Sequence, residues 1–313
     1  MGYCRSFCLF TLLLVITSCG KKVKIEHTTT LSHYSSGSAI EYLNGNLYLV
    51  GDDMAYVLVM DSAFNAIDTI PVIDSTQSPI PKKIKPDLEA ATTVRHNGAD
   101  ALLLISSGSL DPYRNNAWLI DPVSKHKTTY DLLPFYSRLK AQGLKDLNIE
   151  GATAINNLII LSARGNKTNP LNHLIVTSVG FWNEQATAPI SIKTVRAGKA
   201  DGKEFSGVSG LAYSAASDCL VLTVSTENTT NSYDDGTIGK SYLWLVNNIS
   251  KRLAAAAIEP DKIIDLEAAD SRFRGQKIEA ACVVHETTAE MKLALSADND
   301  NGKTGLFMVV IQK

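Results

Sequence analysis

Along most of the chain, short apolar runs alternate with clusters of polar and small residues. Runs rich in Val, Ile, Leu and Tyr, bounded by Asn, Gly, Asp and Ser, predict strands joined by hairpins. Five strong runs end in polar residues: Leu47–Asp53, Leu102–Gly108, Leu158–Asn166, Leu220–Asn228 and Leu293–Asp300. Before each stands a phrase of a small or polar residue, an aliphatic residue, Glu and further small residues. It reads Ser38–Tyr42, Asp87–Ala91, Asn148–Ala152 and Lys277–Ala281, and a weaker copy, Gly207–Ala212, has Ser209 in place of Glu. A look-alike, Asp265–Ala269, lies 12 residues before the last anchor, and either copy can serve there.

A third apolar run follows in every unit: Tyr56–Met60, Ala117–Ile120, His173–Thr177, Tyr242–Val246 and Leu306–Ile311. A fourth closes four units: Ala66–Val72, Thr128–Leu133, Ile190–Val195 and part of Ala255–Leu266. The fifth unit has none before Lys313, while an unassigned strand, Val23–Leu31, precedes the first unit. This arrangement predicts an all-β propeller of five four-stranded blades, with the N-terminal strand closing the ring. The anchors Glu41, Glu89, Glu150, Ser209 and Glu279 are 48, 61, 59 and 70 residues apart. The last interval leaves room for a sixth, degenerate blade as the rival count. One helix is expected, around Tyr136–Leu144, inside a connection.

The beginning of the chain departs from this pattern. One positive charge, Arg5, precedes a mostly apolar stretch from Phe7 to Ile16, which is too short to span a bilayer and fits a secretory signal. The ending Ile16-Thr17-Ser18-Cys19 resembles a bacterial lipobox, which predicts a signal peptide over 1–18, lipidation of Cys19 and a propeller over 19–313. Lipid would then be the membrane anchor. Gly20 is not an Asp-type retention signal, so bacterial sorting rules point to the outer membrane. Cys219 and Cys282, in apolar surroundings, are expected to be buried thiols.

Composition narrows the function. Lys+Arg 30 against Asp+Glu 32 gives a net charge of −2, without the basic excess that nucleic-acid binding requires. The six His form no zinc-type pair, and the chain holds neither Gly-x-Ser-x-Gly nor a phosphate-binding Gly-x-x-x-x-Gly-Lys. The run Pro81–Pro86, with its three Lys, reads as an exposed connector.

Propeller geometry sharpens the site. Innermost strands start on the face where second strands end, so the recurring Glu and the polar endings should converge on one mouth of the central channel. That places Glu41, Glu89, Glu150 and Glu279 as candidate metal ligands, with Ca²⁺ or Mg²⁺ suited to hard oxygen donors. Asp52, Asp53, Arg164, Asn166, Asp298 and Asp300 are candidate ligand-binding residues, with Glu227 beside them. Four like charges around one axis need a cation, Arg164, backbone N–H donors or raised pKa values. The competing structural role has each Glu bind backbone groups of a neighbouring blade.

Asp87-Leu88-Glu89-Ala90, Asn148-Ile149-Glu150-Gly151-Ala152 and Ser296-Ala297-Asp298-Asn299-Asp300 resemble signatures of secreted propellers similar to the esterase-like phytases. The pairing of Asn148–Gly151 with Ala163–Asn166 is closer to an uncharacterised family of secreted bacterial propeller lipoproteins. The phytase resemblance implies calcium bound by acidic groups and phosphoester cleavage. This chain departs from it in Ala297 and Ser209 and in lacking a Lys/Arg cluster. Three functions stay open. The first is a monomeric, membrane-anchored propeller binding a small molecule or protein. The second is a Ca²⁺-dependent phosphoester or ester hydrolase, and the third a glycan-processing enzyme using two channel carboxylates.

Overall fold

A computed structural model describes residues 23–196, 205–227 and 238–313. The predicted leader 1–18, Cys19 and the Glu227 side chain lie outside the described part. The N-terminal strand β1 (Val23–Leu31) is followed by blade one, β2 (Gly37–Leu43), β3 (Asn46–Gly51), β4 (Tyr56–Met60) and β5 (Ala66–Pro71). Blade two is β6 (Leu88–His96), β7 (Ala99–Ser106), β8 (Asn116–Ile120) and β9 (Lys127–Asp131). Blade three is β10 (Ile149–Ile155), β11 (Leu158–Ala163), β12 (Asn172–Ser178) and β13 (Ser191–Val195).

Blade four is built from β14 (Ser206–Ser214), β15 (Cys219–Glu227) and β16 (Ile238–Asn247), but its fourth strand is not the next one in the chain. β17 (Ala257–Ile258) crosses to blade three and adds parallel to β13, and β18 (Lys262–Asp265) completes blade four. The expected strand Ala255–Leu266 is thus split between two sheets. Pro260, with no N–H to give a ladder, stands at the break.

Blade five is β19 (Ile278–Glu286), β20 (Glu290–Asp298) and β21 (Thr304–Gln312), finished by β1. β1 pairs antiparallel with β21 from Val23↔Ile311 to Leu31↔Thr304, which is the predicted ring closure. The five antiparallel sheets form a five-bladed ring, which excludes the six-bladed alternative. The look-alike Asp265–Ala269 is a helical turn, capped by the Asp265 carboxylate on the Ala268 N–H, and Glu279 is the true anchor.

The predicted helix is α1 (Leu133–Ala141), three residues earlier than expected. Pro134 suits its first turn, and Gly143, at φ 108°, lies just past its end. Phe135, Tyr136 and Leu139 bury one face between blades two and three.

Among the described residues the core consists of five clusters, each filling the gap between two adjacent blades. This follows from alternation: each strand presents one face to each neighbouring sheet. Trp118 and Trp244 are buried in these gaps, as are the free thiols Cys219 and Cys282. Near the axis the inner strands come close. A Cβ on Gly151 would lie 2.8 Å from Leu211 N, and one on Gly210 would lie 2.5 Å from Glu279 O. This crowding accounts for the glycines that follow Glu150 and Ser209.

Candidate functional site

Each inner strand carries a β-bulge near its start, at Ser38, Glu89, Glu150, Ser209 and Glu279. A bulge re-aims one side chain, and repeated five times it aims one residue per blade at the same mouth. The register corrects one expectation: the blade-one equivalent is Ser38, not Glu41. Glu41 lies three residues further along β2, opposite Tyr48, toward the other end of the channel. The two phrases matched by composition, but the bulge sits earlier in blade one.

The far ends of the second strands form a companion ring: Asp52, Ser107 and Arg164 directly follow β3, β7 and β11, while Ser225 and Asp298 lie in the last residues of β15 and β20. Four of them donate backbone N–H groups to the residue two before the bulge. These bonds are Asp52 to Ser36 O (3.1 Å), Ser107 to Asp87 O (3.0 Å), Arg164 to Asn148 O (2.8 Å) and Asp298 to Lys277 O (3.0 Å). The scaffold therefore holds Glu89, Glu150, Glu279, Asp52, Asp298 and Arg164 at one mouth, as the strand polarity predicts.

Three other candidates stand aside. Asp53 accepts hydrogen bonds from Ser35 Oγ (2.8 Å) and Ser36 Oγ (3.4 Å). Asn166 Oδ1 accepts from the N–H groups of Thr168 and Asn169, both at 2.9 Å, and so shapes its own turn. Asp300 is exposed, in a left-handed conformation, and donates its N–H to Asp298 Oδ1.

The mouth is divided by charge. On blades three to five, Arg164 Nη1 lies 3.4 Å from Glu150 Oε2 and 3.8 Å from Glu279 Oε2, and Nη2 donates to Ser225 Oγ at 3.1 Å. Lys277 Nζ holds the other Glu279 oxygen at 2.9 Å. Gly207 makes room, since a Cβ there would lie 2.5 Å from Arg164 Nε. Ser209 in the remaining bulge donates instead to Ile278 O of the next blade, at 2.9 Å. Glutamates 150 and 279 thus have cation partners, while the structural role expected for the anchors is filled by the serine.

On blades one and two the acids outnumber their partners. One oxygen each of Asp52, Asp87 and Glu89 lies within 4.8 Å of the others. Two cations that the sequence reading missed are built into this cluster. Lys85 Nζ contacts Asp52 Oδ2 and lies 3.0 Å from Asp87 Oδ1. Arg114, 2% exposed, donates from Nη1 to Asp87 Oδ2 (2.7 Å) and Ser109 Oγ (2.8 Å). The connector Pro81–Pro86 is therefore exposed at Lys82 and Lys83 but turns Lys85 into the mouth. The unbalanced carboxylates were the available signal for such a cation; the sequence carries no spacing that identifies which one.

Burial, followed by the Asp52 and Asp87 charges, pushes the Glu89 carboxyl well above the usual range. Burial also raises Asp52 to about 6, against the pull of Lys85, and Asp298 to about 7, with the Asp52 and Asp300 charges adding to it. Burial opposes the Lys85 charge, yet Asp52 and Asp87 hold its ammonium well above the ordinary lysine value.

Residues 33–311 match the model of DUF6929, described as a family of unknown function, and the chain belongs to that family. No curated protein matches the chain. The tail fibre of Staphylococcus aureus phage P68 is similar over 93% of this chain and 52% of its own, at 10% identity and a TM-score of 0.48. The chain thus spans about half the length of that tail-fibre chain. Streptogramin B lyase is similar over 93% of this chain and 98% of its own, at 9% identity and a TM-score of 0.39. A nidogen/laminin complex is similar over 85% of this chain and 77% of its own, at 9% identity and a TM-score of 0.38.

Proposed function

We propose that this DUF6929 propeller is a binding protein of the bacterial cell envelope whose acidic arc takes the cationic end of a small polar ligand. The surplus of acid carries the reading. Among the described residues, Glu89 has neither a hydrogen bond nor an ion pair, and Asp52 Oδ1 is buried without a hydrogen-bond partner. Among the described residues, Lys85, Arg114, Arg164 and Lys277 are each engaged by carboxylates, so none of these four is spare for an anion. A ligand cation beside Glu89 would favour the charged form of a carboxyl that burial otherwise holds toward neutral.

A second reading rests on the three oxygens within 4.8 Å: Asp52, Asp87 and Glu89 would hold a divalent cation, Ca²⁺ or Mg²⁺, once Lys85 withdrew. Such an ion supplies Lewis acidity for phosphoester or ester hydrolysis. One titration separates the two. Melting temperature is followed against spermidine, putrescine, Ca²⁺ and Mg²⁺ in wild type and in Glu89→Gln. A rise with the amines that Glu89→Gln removes supports the first reading, and a rise with the metals alone supports the second. A flat response to all four sinks both.

The anchor belongs to the same proposal. Ile16–Cys19 supports lipidation at Cys19 and an outer-membrane location, with the propeller acting as a monomer. Mass spectrometry should find an acylated Cys19 as the mature N-terminus, and Cys19→Ala should release the chain from the membrane fraction.

A further inference from the structure

The channel has a second polar ring, far from the acidic arc. Three residues past the bulges, the inner strands bring together Glu41, Thr92, Thr153, Ala212 and Cys282. These open onto a cavity of about 410 Å³. That volume lies within the ~300–1,000 Å³ of ordinary small-molecule sites. Tyr42 and Tyr213, both half-buried, stand among its walls, and the Tyr213 ring is fixed by its hydroxyl donating to Asp218 Oδ1 at 3.1 Å. Thr93 Oγ1 donates to Glu41 Oε2 at 3.3 Å.

The chemistry of this lining differs from that of the first mouth. It offers hydroxyls from Thr and Tyr, the Asn156 amide and one carboxyl, with no basic side chain among the lining residues. An anion therefore has no counter-charge here. Burial raises Glu41 to about 8, so the carboxyl is mostly neutral at pH 7 and presents an O–H donor beside its acceptor oxygen. Hydroxyls and a neutral acid both donate and accept, which suits a ligand that does the same at many positions. The two Tyr rings add flat apolar faces for C–H groups.

We propose that the mouth opposite the acidic arc binds a neutral polyhydroxylated ligand of the saccharide class, with Thr92, Thr153 and Glu41 hydrogen-bonding it and Tyr42 and Tyr213 walling it. This site does not depend on the reading of the first mouth. Titration calorimetry with glucose, galactose, N-acetylglucosamine and their disaccharides tests it on the full mature chain. Saturable binding is expected, weakened about tenfold or more by Thr153→Val. Ala215 is exposed on the cavity wall, so Ala215→Trp should block entry and abolish binding while leaving the melting temperature unchanged. Glu89→Gln, in the other mouth, should leave sugar affinity unchanged. The proposal is overturned if none of these sugars binds, or if binding survives Ala215→Trp. It is equally overturned if this mouth takes spermidine instead, through a heat that Glu41→Gln removes.

Discussion

The Lys85 ammonium lies 3.0 Å from Asp87 Oδ1 and in contact with Asp52 Oδ2, in the place a bound cation would take among three carboxylates. The fold thus carries its own counter-ion on a connector between blades. Two buried acids and a half-buried third are tolerated at one spot because this lysine and Arg114 share the load.

Lys85→Met should therefore destabilise strongly. Removing one partner of a buried pair costs about 3–5 kcal/mol. The loss should be larger near pH 8 than near pH 5.5, because Asp52, raised to about 6, takes a proton in the acid range and needs no partner there. Millimolar Ca²⁺ should restore part of the loss, by about 2.7 kcal/mol at a hundredfold excess over Kd. Urea denaturation at both pH values, with and without Ca²⁺, reads all three effects. A variant as stable as wild type at pH 8 would show that Lys85 does not hold the cluster.

Arg164 should matter as much on the other side of the mouth. Arg164→Met takes the guanidinium away from Glu150 and removes one of two cations near Glu279. A cost of about 3–5 kcal/mol is expected. Adding Glu150→Gln and Glu279→Gln should recover a large part of it, since the repelling charges go too. If the triple variant is less stable than Arg164→Met alone, the guanidinium is not there to balance these carboxylates. Gly207→Ala should mimic Arg164→Met in milder form, by displacing the guanidinium from its seat at 2.5 Å.

Stability should fall as pH rises through neutrality. Asp298 rises from 3.8 to about 7 and Glu41 from 4.5 to about 8 on folding. A carboxyl raised in the fold binds more protons folded than unfolded, so each contributes a penalty that begins near its unfolded value and is complete above its folded one. Unfolding free energy should decline from about pH 5 to about pH 8. Asp298→Asn and Glu41→Gln, which hold the neutral form, should each flatten that decline, and Glu41→Gln should act furthest into the alkaline side. A wild-type profile that climbs over this range would contradict the assignment.

Ring closure by β1 should be needed for a monomeric protein. Deleting residues 20–32 removes the buried Val23 and Ile25 and bares the edge of β21. Two buried aliphatic side chains are worth about 1.5–3 kcal/mol each, and an open edge invites pairing with another chain. Lower melting and oligomers on size-exclusion chromatography are the expected result; a truncated monomer with unchanged melting would mean that β1 is dispensable.

The sequence by itself determined most of the strands, the propeller architecture, the closing strand, the two buried thiols and the mouth to which Arg164, Glu150 and Asp298 belong, while the choice of five blades over six fell to the sheet pairing. What the sequence determined follows from local pattern: apolar alternation bounded by turn residues, and the polarity that a hairpin imposes on successive strands. What the tertiary structure decided depends on how separate sheets are placed around the axis. Whether Ser38 or Glu41 occupies the blade-one bulge is a matter of register between β2 and β3, and the phrase Ser38–Tyr42 fits either. Lys85 reads as one basic residue in an exposed run until the connector folds it back onto Asp52, 33 positions away. β17 leaves its own blade because the edge of β13 offers an unpaired ladder, which no stretch of Ala255–Leu266 announces. Charge balance likewise arises only in space: Arg164 meets Glu150 within its own blade and Glu279 two blades further on, and no spacing along the chain encodes that meeting.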